Sequence, residues 1–142
     1  MFGVILAAVD EFGRSDAVVK VVHDVALMTH DKVVVLHVYP LHTQRPAGPS
    51  TYETPEEAEQ MVDKFVKLFK ENGIEAEGVV ERHAGGGIGR AVLEIGHQHK
   101  VGLVVVGTHR RSEMVEVVLG SVSHEVLRWA TVPVLVVPNI KE

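Results

Sequence analysis

The feature that most restricts the fold of this chain is a set of short, valine-rich apolar runs separated by stretches of helical period. Four runs stand out, at residues 3–9 (GVILAAV), 32–38 (KVVVLHV), 103–106 (LVVV) and 133–137 (PVLVV). They show little alternation of apolar and polar residues, which is the pattern of strands buried on both faces in a helix-covered parallel sheet. A fifth run, 75–81 (EAEGVVE), is more polar and reads as an edge strand.

Helical periods fill the gaps. Over residues 15–29 the positions Val18, Val21, Val22, Val25 and Met28 share one face, with Asp16, Lys20 and Asp24 on another. Thr54 is suited to N-cap the second helix, with Pro55 at its first position and Glu57 completing a capping box. Ala58, Met61, Val62, Phe65, Leu68 and Phe69 form its apolar stripe, and Asn72-Gly73 ends it. A third helix covers about 87–97, with Ile88, Ala91, Val92 and Ile95 inward. A fourth runs from about 120 to 130, with Val122, Val126 and Ala130 inward and Trp129 read as a packing residue. Strict β-α alternation predicts one domain, residues 1–142, built as an open, doubly wound, parallel five-stranded α/β sheet with helices on both faces. The proline-containing stretch 39–53 is the one long irregular segment expected.

The chain has no cysteine, which removes disulfides and thiolate chemistry from consideration, and its formal net charge is −5. That balance argues against a nucleic-acid partner, which needs a basic face. The first residues lack the basic region of a signal peptide, and their apolar run is too short to span a bilayer. A soluble, cytoplasmic protein without a membrane partner is the expectation.

In an open α/β sheet, ligands bind beyond the carboxyl ends of the strands, where the strand order reverses. The first strand ends in Val9-Asp10, the second in His37-Val38 and the fourth in Val106-Gly107-Thr108. After the fourth comes GTHRRSEMVEVVLGSVS, residues 107–123. Gly107 lets the backbone leave the strand tightly. Gly120-Ser121 opens a helix whose unpaired N–H groups and dipole favour an anion. Ser121 and Ser123 supply hydroxyl donors there, and Thr108, His109, Arg110 and Arg111 add donors on the connecting loop.

This segment resembles the G-x2-G-x9-G-[ST] signature of the universal stress protein family. Gly107 matches the first glycine, Gly120 the third and Ser121 the hydroxyl residue, while Arg110 stands where the second glycine belongs. The resemblance extends to the strand ending in Asp10, to the LHV of residues 36–38 and to the closing VPVLVVP of residues 132–138. It implies the adenine nucleotide alpha hydrolase-like fold with strand order 3-2-1-4-5, so that Asp10 and Gly107 flank the reversal point. It also implies a regulatory protein of the stress response that binds adenine nucleotide, ATP with or without magnesium, and at most hydrolyses it slowly. The implied nucleotide-binding residues are Ala8, Val9, Asp10, Val38, Gly107, Thr108, His109, Arg110, Gly120, Ser121, Val122 and Ser123. Asp10 would meet the adenosine part and Val38 the adenine. In relatives the last strand pairs with its mate across a two-fold axis, so a homodimer through residues 132–138 is expected; that strand is also strongly apolar for a sheet edge.

Other readings stay open beside this one. Arg110 either binds phosphate, for which a guanidinium is well suited, or fills the nucleotide space and leaves an interaction module with no ligand. A phospho-acceptor signalling domain has similar topology, and Asp10-Glu11 imitates its acidic pair. The third strand, however, ends in Glu81-Arg82-His83 without an acceptor aspartate. Gly85-Gly86-Gly87 reads as a strand-to-helix turn, since Gly85-x-Gly87-x-x-Arg90 lacks the third glycine of a dinucleotide fingerprint. The nine histidines read as surface or loop residues with no metal-ligand spacing, and no catalytic set of nucleophile, base and orienting acid can be assembled.

Overall fold

The computed structural model describes residues 1–10, 15–41, 54–84, 87–108 and 121–138. Their order is β1 (Val4–Ala8), α1 (Asp16–Thr29), β2 (Lys32–Leu41), α2 (Pro55–Glu71), β3 (Ala76–Ala84), α3 (Ile88–Gln98), β4 (Leu103–Gly107), α4 (Ser121–Trp129) and β5 (Val134–Val137). The five strands form one sheet in the order β3-β2-β1-β4-β5, and every pairing is parallel. The expected topology is present, with the polar run in β3 at one edge and β5 at the other.

The valine runs explain why both faces are covered. Alternate strand residues point to opposite sides, and each side has its own core. Ile5, Ala7, Val33, Val35, Leu103 and Val105 pack with Val18 and Val22 of α1 and Val62, Phe65 and Phe69 of α2. On the other side Leu6, Leu36, Val38, Val104 and Val106 pack with Ala91, Val92 and Ile95 of α3 and Val126 of α4. Burying a side chain of this size fully is worth about 1.5–3 kcal/mol.

Local chemistry sets the helix ends. Thr54 Oγ1 accepts a hydrogen bond from the Glu57 backbone N–H at 3.2 Å, with Pro55 at the first helical position. Where α3 crosses α4, Gly89 permits the close approach. A Cβ there would lie 2.8 Å from both the Val122 carbonyl oxygen and Glu125 Cβ. At the amino end of the sheet, Asp31 gathers the start of the chain. Its carboxylate accepts from the Phe2 N–H at 2.8 Å and the Gly3 N–H at 3.0 Å, and pairs with the Met1 ammonium at 3.1 Å.

Four expectations need correction. Met28 is 76% exposed and Leu68 42% exposed; the buried stripe of α1 is instead Val18, Val19, Val22 and Ala26. β2 runs past Val38 to Leu41, into the stretch expected to be irregular. Pairing with β1 stops at Leu36 and continues with β3 alone, and proline is tolerated in such an edge segment. Trp129 is half exposed and carries the guanidinium groups of Arg90 and Arg128 at 4.9 and 5.4 Å from its ring centre. Finally, His37 is a buried strand residue, where surface or loop placement was expected.

Candidate functional site

β1 is the pivot of the sheet. The chain winds from β1 through β2 to β3 on one side, then returns to pair β4 against the other side of β1. The carboxyl ends of β1 and β4 therefore open a crevice between them, at the reversal point where α/β sheets take ligands. A cavity of about 100 Å³ lies there, lined by residues of β1, β2 and β4 and of the starts of α1, α3 and α4.

Ala8, Val9, Asp10, Val38, Gly107, Thr108, Val122 and Ser123, all singled out in the sequence, line this one cavity. The structure thus brings together eight positions that lie on four separate segments. Ser121 begins α4. His109, Arg110 and Gly120 lie outside the described residues, as do Arg111, Glu11, Gly85 and Gly86.

The polar groups of the lining are tied to one another. The Asp10 backbone N–H donates to Ser15 Oγ at 2.7 Å. The Ser15 hydroxyl proton faces the Asp10 carbonyl oxygen at 3.0 Å and carboxylate Oδ1 at 3.3 Å. This commitment explains why Ser15, although it sits at the N-cap of α1, makes no side-chain cap bond. The turn after β1 is therefore braced by Ser15, and the Asp10 carboxylate is held at the cavity wall.

Gly107 also has a packing role. It is the last residue of β4, paired with Val137. A Cβ there would meet Val18 Cγ2 at 3.1 Å, so the glycine favours the close packing of α1 on β4. Ser123 departs from expectation. Its hydroxyl is buried and donates to the Gly107 carbonyl at 2.7 Å. Its single proton is thus spent on the strand, and what it offers a ligand is acceptor capacity. The bond has a second effect: it fixes the first turn of α4 against the end of β4. The start of α4 is thereby set at the crevice, where a helix start favours an anion.

His37 supports the same region from below. Its ring lies 5.8 Å from that of Tyr39 in a stacked arrangement, and its Nδ1 is 2.8 Å from the Val9 carbonyl oxygen. A carbonyl only accepts, so Nδ1 carries the proton. The bond continues the β1–β2 connection just beyond the backbone ladder, which ends at Ala8 and Leu36.

The sequence did not reveal the remainder of the wall, which is mostly apolar. Ser15, Val18, Leu36, Ile88, Val92 and Val106 also line the cavity. A signal for them exists, because each lies at the carboxyl end of a strand or within the first turns of the helix that follows. Ile88 and Val92 come from α3, whose start was assigned no more than a turn. Among the described residues, the lining holds no lysine, arginine or histidine, and no group of three or more histidine or acidic side chains is arranged to hold a metal ion. No helix among the described residues is long and apolar enough to cross a membrane.

Fold and crevice together define a doubly wound parallel α/β domain with a small cavity at its switch point. The sequence matches the Universal stress protein family over residues 1–138, and the chain belongs to that family. It is similar to the universal stress protein YxiE of Bacillus subtilis strain 168, 33% identical over 85 residues, which is 60% of this chain and 55% of that protein. The match therefore spans about half of YxiE. A universal stress protein from Archaeoglobus fulgidus solved in complex with dAMP is 18% identical, with a TM-score of 0.69 over 96% of this chain and 98% of that one. Another universal stress protein, solved in complex with cAMP, is 19% identical, with a TM-score of 0.71 over 98% of each chain.

Proposed function

We propose that this protein binds an adenine nucleotide, ATP in the first instance, in the crevice between β1 and β4, and that it acts as a regulatory, homodimeric stress-response protein. The observation that carries this reading is the convergence of Ala8, Val38, Ile88, Val92 and Val106 with Asp10, Thr108 and the start of α4 around one cavity. An apolar slot with a few directed polar groups suits a base and its sugar, and the helix start suits phosphate. The binding of dAMP and cAMP by structural relatives supports the same reading.

Size sharpens it. A cavity of about 100 Å³ falls well short of the several hundred Å³ that enclose a whole small molecule. In this reading the cavity takes the base and sugar edge, and the phosphates lie outside it, along the start of α4. Positive charge for the phosphates would come from Arg110 and Arg111, with Arg110 as a phosphate ligand and His109 as a further hydrogen-bond donor.

The chemistry of the wall supports a regulatory rather than a catalytic role. Ser15 and Ser123 have their protons committed, and the described lining holds no basic side chain to activate a nucleophile. Turnover of bound ATP is at most slow.

The test is Val38→Phe, which fills the slot from its floor. Affinity for a fluorescent AMP analogue should fall at least tenfold while the circular dichroism spectrum is kept. Unchanged affinity in a folded variant would show that the base does not enter here. The homodimer would form through β5, an edge strand in which Leu135 is exposed. Sedimentation at micromolar concentration should give twice 15.5 kDa, and a species of one chain mass alone would reject it.

A further inference from the structure

A second concavity of the described surface lies away from the crevice, between α1 and α2. It has a volume of about 530 Å³. Val19, Phe65 and Leu68 form its floor, and Lys20, Lys64 and Lys67 stand around it with Asp16 and Glu71.

Three observations make this groove unusual for the molecule. The chain as a whole carries a net charge of −5, yet here three lysines outnumber two carboxylates. Among the described residues none of the three lysines makes an ion pair or hydrogen bond; the one cation contact is Lys64 Nζ over the Phe65 ring at 5.8 Å. Leu68 lies in the α2 stripe that would ordinarily be buried, but it stands exposed in the groove. Solvated lysines ringing an exposed leucine, on an otherwise acidic protein, are the complement of an acidic, amphipathic ligand.

The geometry points to a docking groove for an acidic amphipathic helix of a partner protein. The shape favours a helix over an extended strand, because the groove offers no open sheet edge and is bordered by two helices. The α2 residues that line it run from Lys64 to Glu71, a rise of roughly 10 Å, which is two turns of a docked helix. Apolar residues of the partner at i, i+3 and i+7 meet the exposed Leu68 and lie over the edges of Val19 and Phe65, which are largely buried beneath it. Its carboxylates, on either side of that stripe, meet Lys20 of α1 and Lys64 and Lys67 of α2. The lysine pair at 64 and 67 is three residues apart on one helical face, so it presents two cations to one side of the ligand. α1 is shared between the two sites: Ser15 and Val18 line the crevice, while Asp16, Val19 and Lys20 line the groove.

The probe is a fluorescein-labelled synthetic helix of about four turns, with leucines on one stripe and glutamates flanking it. A second peptide has lysine in place of each glutamate. Anisotropy with the full-length protein should rise for the acidic peptide and stay flat for the basic one. Affinity should weaken at least tenfold in Lys20→Glu/Lys64→Glu/Lys67→Glu, and also in Leu68→Ser, which keeps every charge. All four sites are exposed, so the thermal transition of each variant should match that of the parent. The proposal is overturned if both peptides bind alike, or if the folded variants bind as the parent does. It is also overturned if the parent ignores the peptide but sediments with phosphatidylglycerol vesicles in a lysine-dependent way, since the basic face would then serve a lipid surface.

Discussion

Replacing Asp31 by asparagine should cost stability in a way that depends on pH. Burial by itself would raise the pKa of this carboxyl group. The hydrogen bonds from the Phe2 and Gly3 N–H groups and the contact with the chain's ammonium group outweigh burial, and the pKa falls from its ordinary 3.8 to about 2. A group whose folded pKa lies below its unfolded value contributes stability above the unfolded pKa, and that contribution is lost as pH falls through the folded one. The difference of nearly two pH units corresponds to at most about 2.5 kcal/mol. Solvent screening at the exposed Met1 ammonium lowers that, so about 1–2 kcal/mol is expected. Urea unfolding of parent and Asp31→Asn should differ by this amount from pH 5 to 7, and the gap should close between pH 4 and 2. Comparing the two proteins at each pH cancels the other carboxylates. A gap that stays constant down to pH 2, or no gap at pH 7, would refute the reasoning. Asp31 sits at the amino edge of the sheet, so nucleotide affinity should not change.

Three further substitutions probe the packing and the site. Helix propensity alone says Gly89→Ala should stabilise α3 by about 1 kcal/mol, whereas the 2.8 Å approach to α4 costs about 1–3 kcal/mol of overpacking. A lower urea midpoint is expected, and a higher one would show that the helices part freely. Ser123→Ala removes the donor to the Gly107 carbonyl; a loss of about 1–2 kcal/mol and weaker nucleotide binding should appear together in unfolding and titration experiments. Arg110→Gly restores the family glycine. If Arg110 binds phosphate, ATP affinity drops while adenosine affinity is kept, and a gain in ATP affinity would instead mean that the arginine occupies the nucleotide space.

The fold was legible because the three central strands, β2, β1 and β4, are almost wholly buried. Runs such as VVVL in β2 have no polar side to confuse the reading, and the Thr54-Pro55-Glu57 start is local chemistry that the sequence states outright. Legibility failed where packing geometry decides. Met28 and Leu68 keep helical period with their neighbours, but the way α1 and α2 pack on the sheet leaves them exposed. Nothing in one sequence shows where a buried stripe stops. At the crevice, the loop-borne residues were readable because turns and helix starts have characteristic chemistry. Val18, Ile88 and Val92 were not, since a wall residue and a core residue are the same apolar side chain one turn apart. Ser123 shows a further limit: its hydroxyl was legible as polar, but its partner, the Gly107 carbonyl, is set by how α4 meets β4.

The central claim is that the crevice holds an adenine nucleotide. Isothermal titration calorimetry of nucleotide-free protein with ATP and magnesium tests it most directly. A saturable exotherm with one site per chain is predicted, competed by AMP and lost in Val38→Phe. No heat at high micromolar ATP would contradict it.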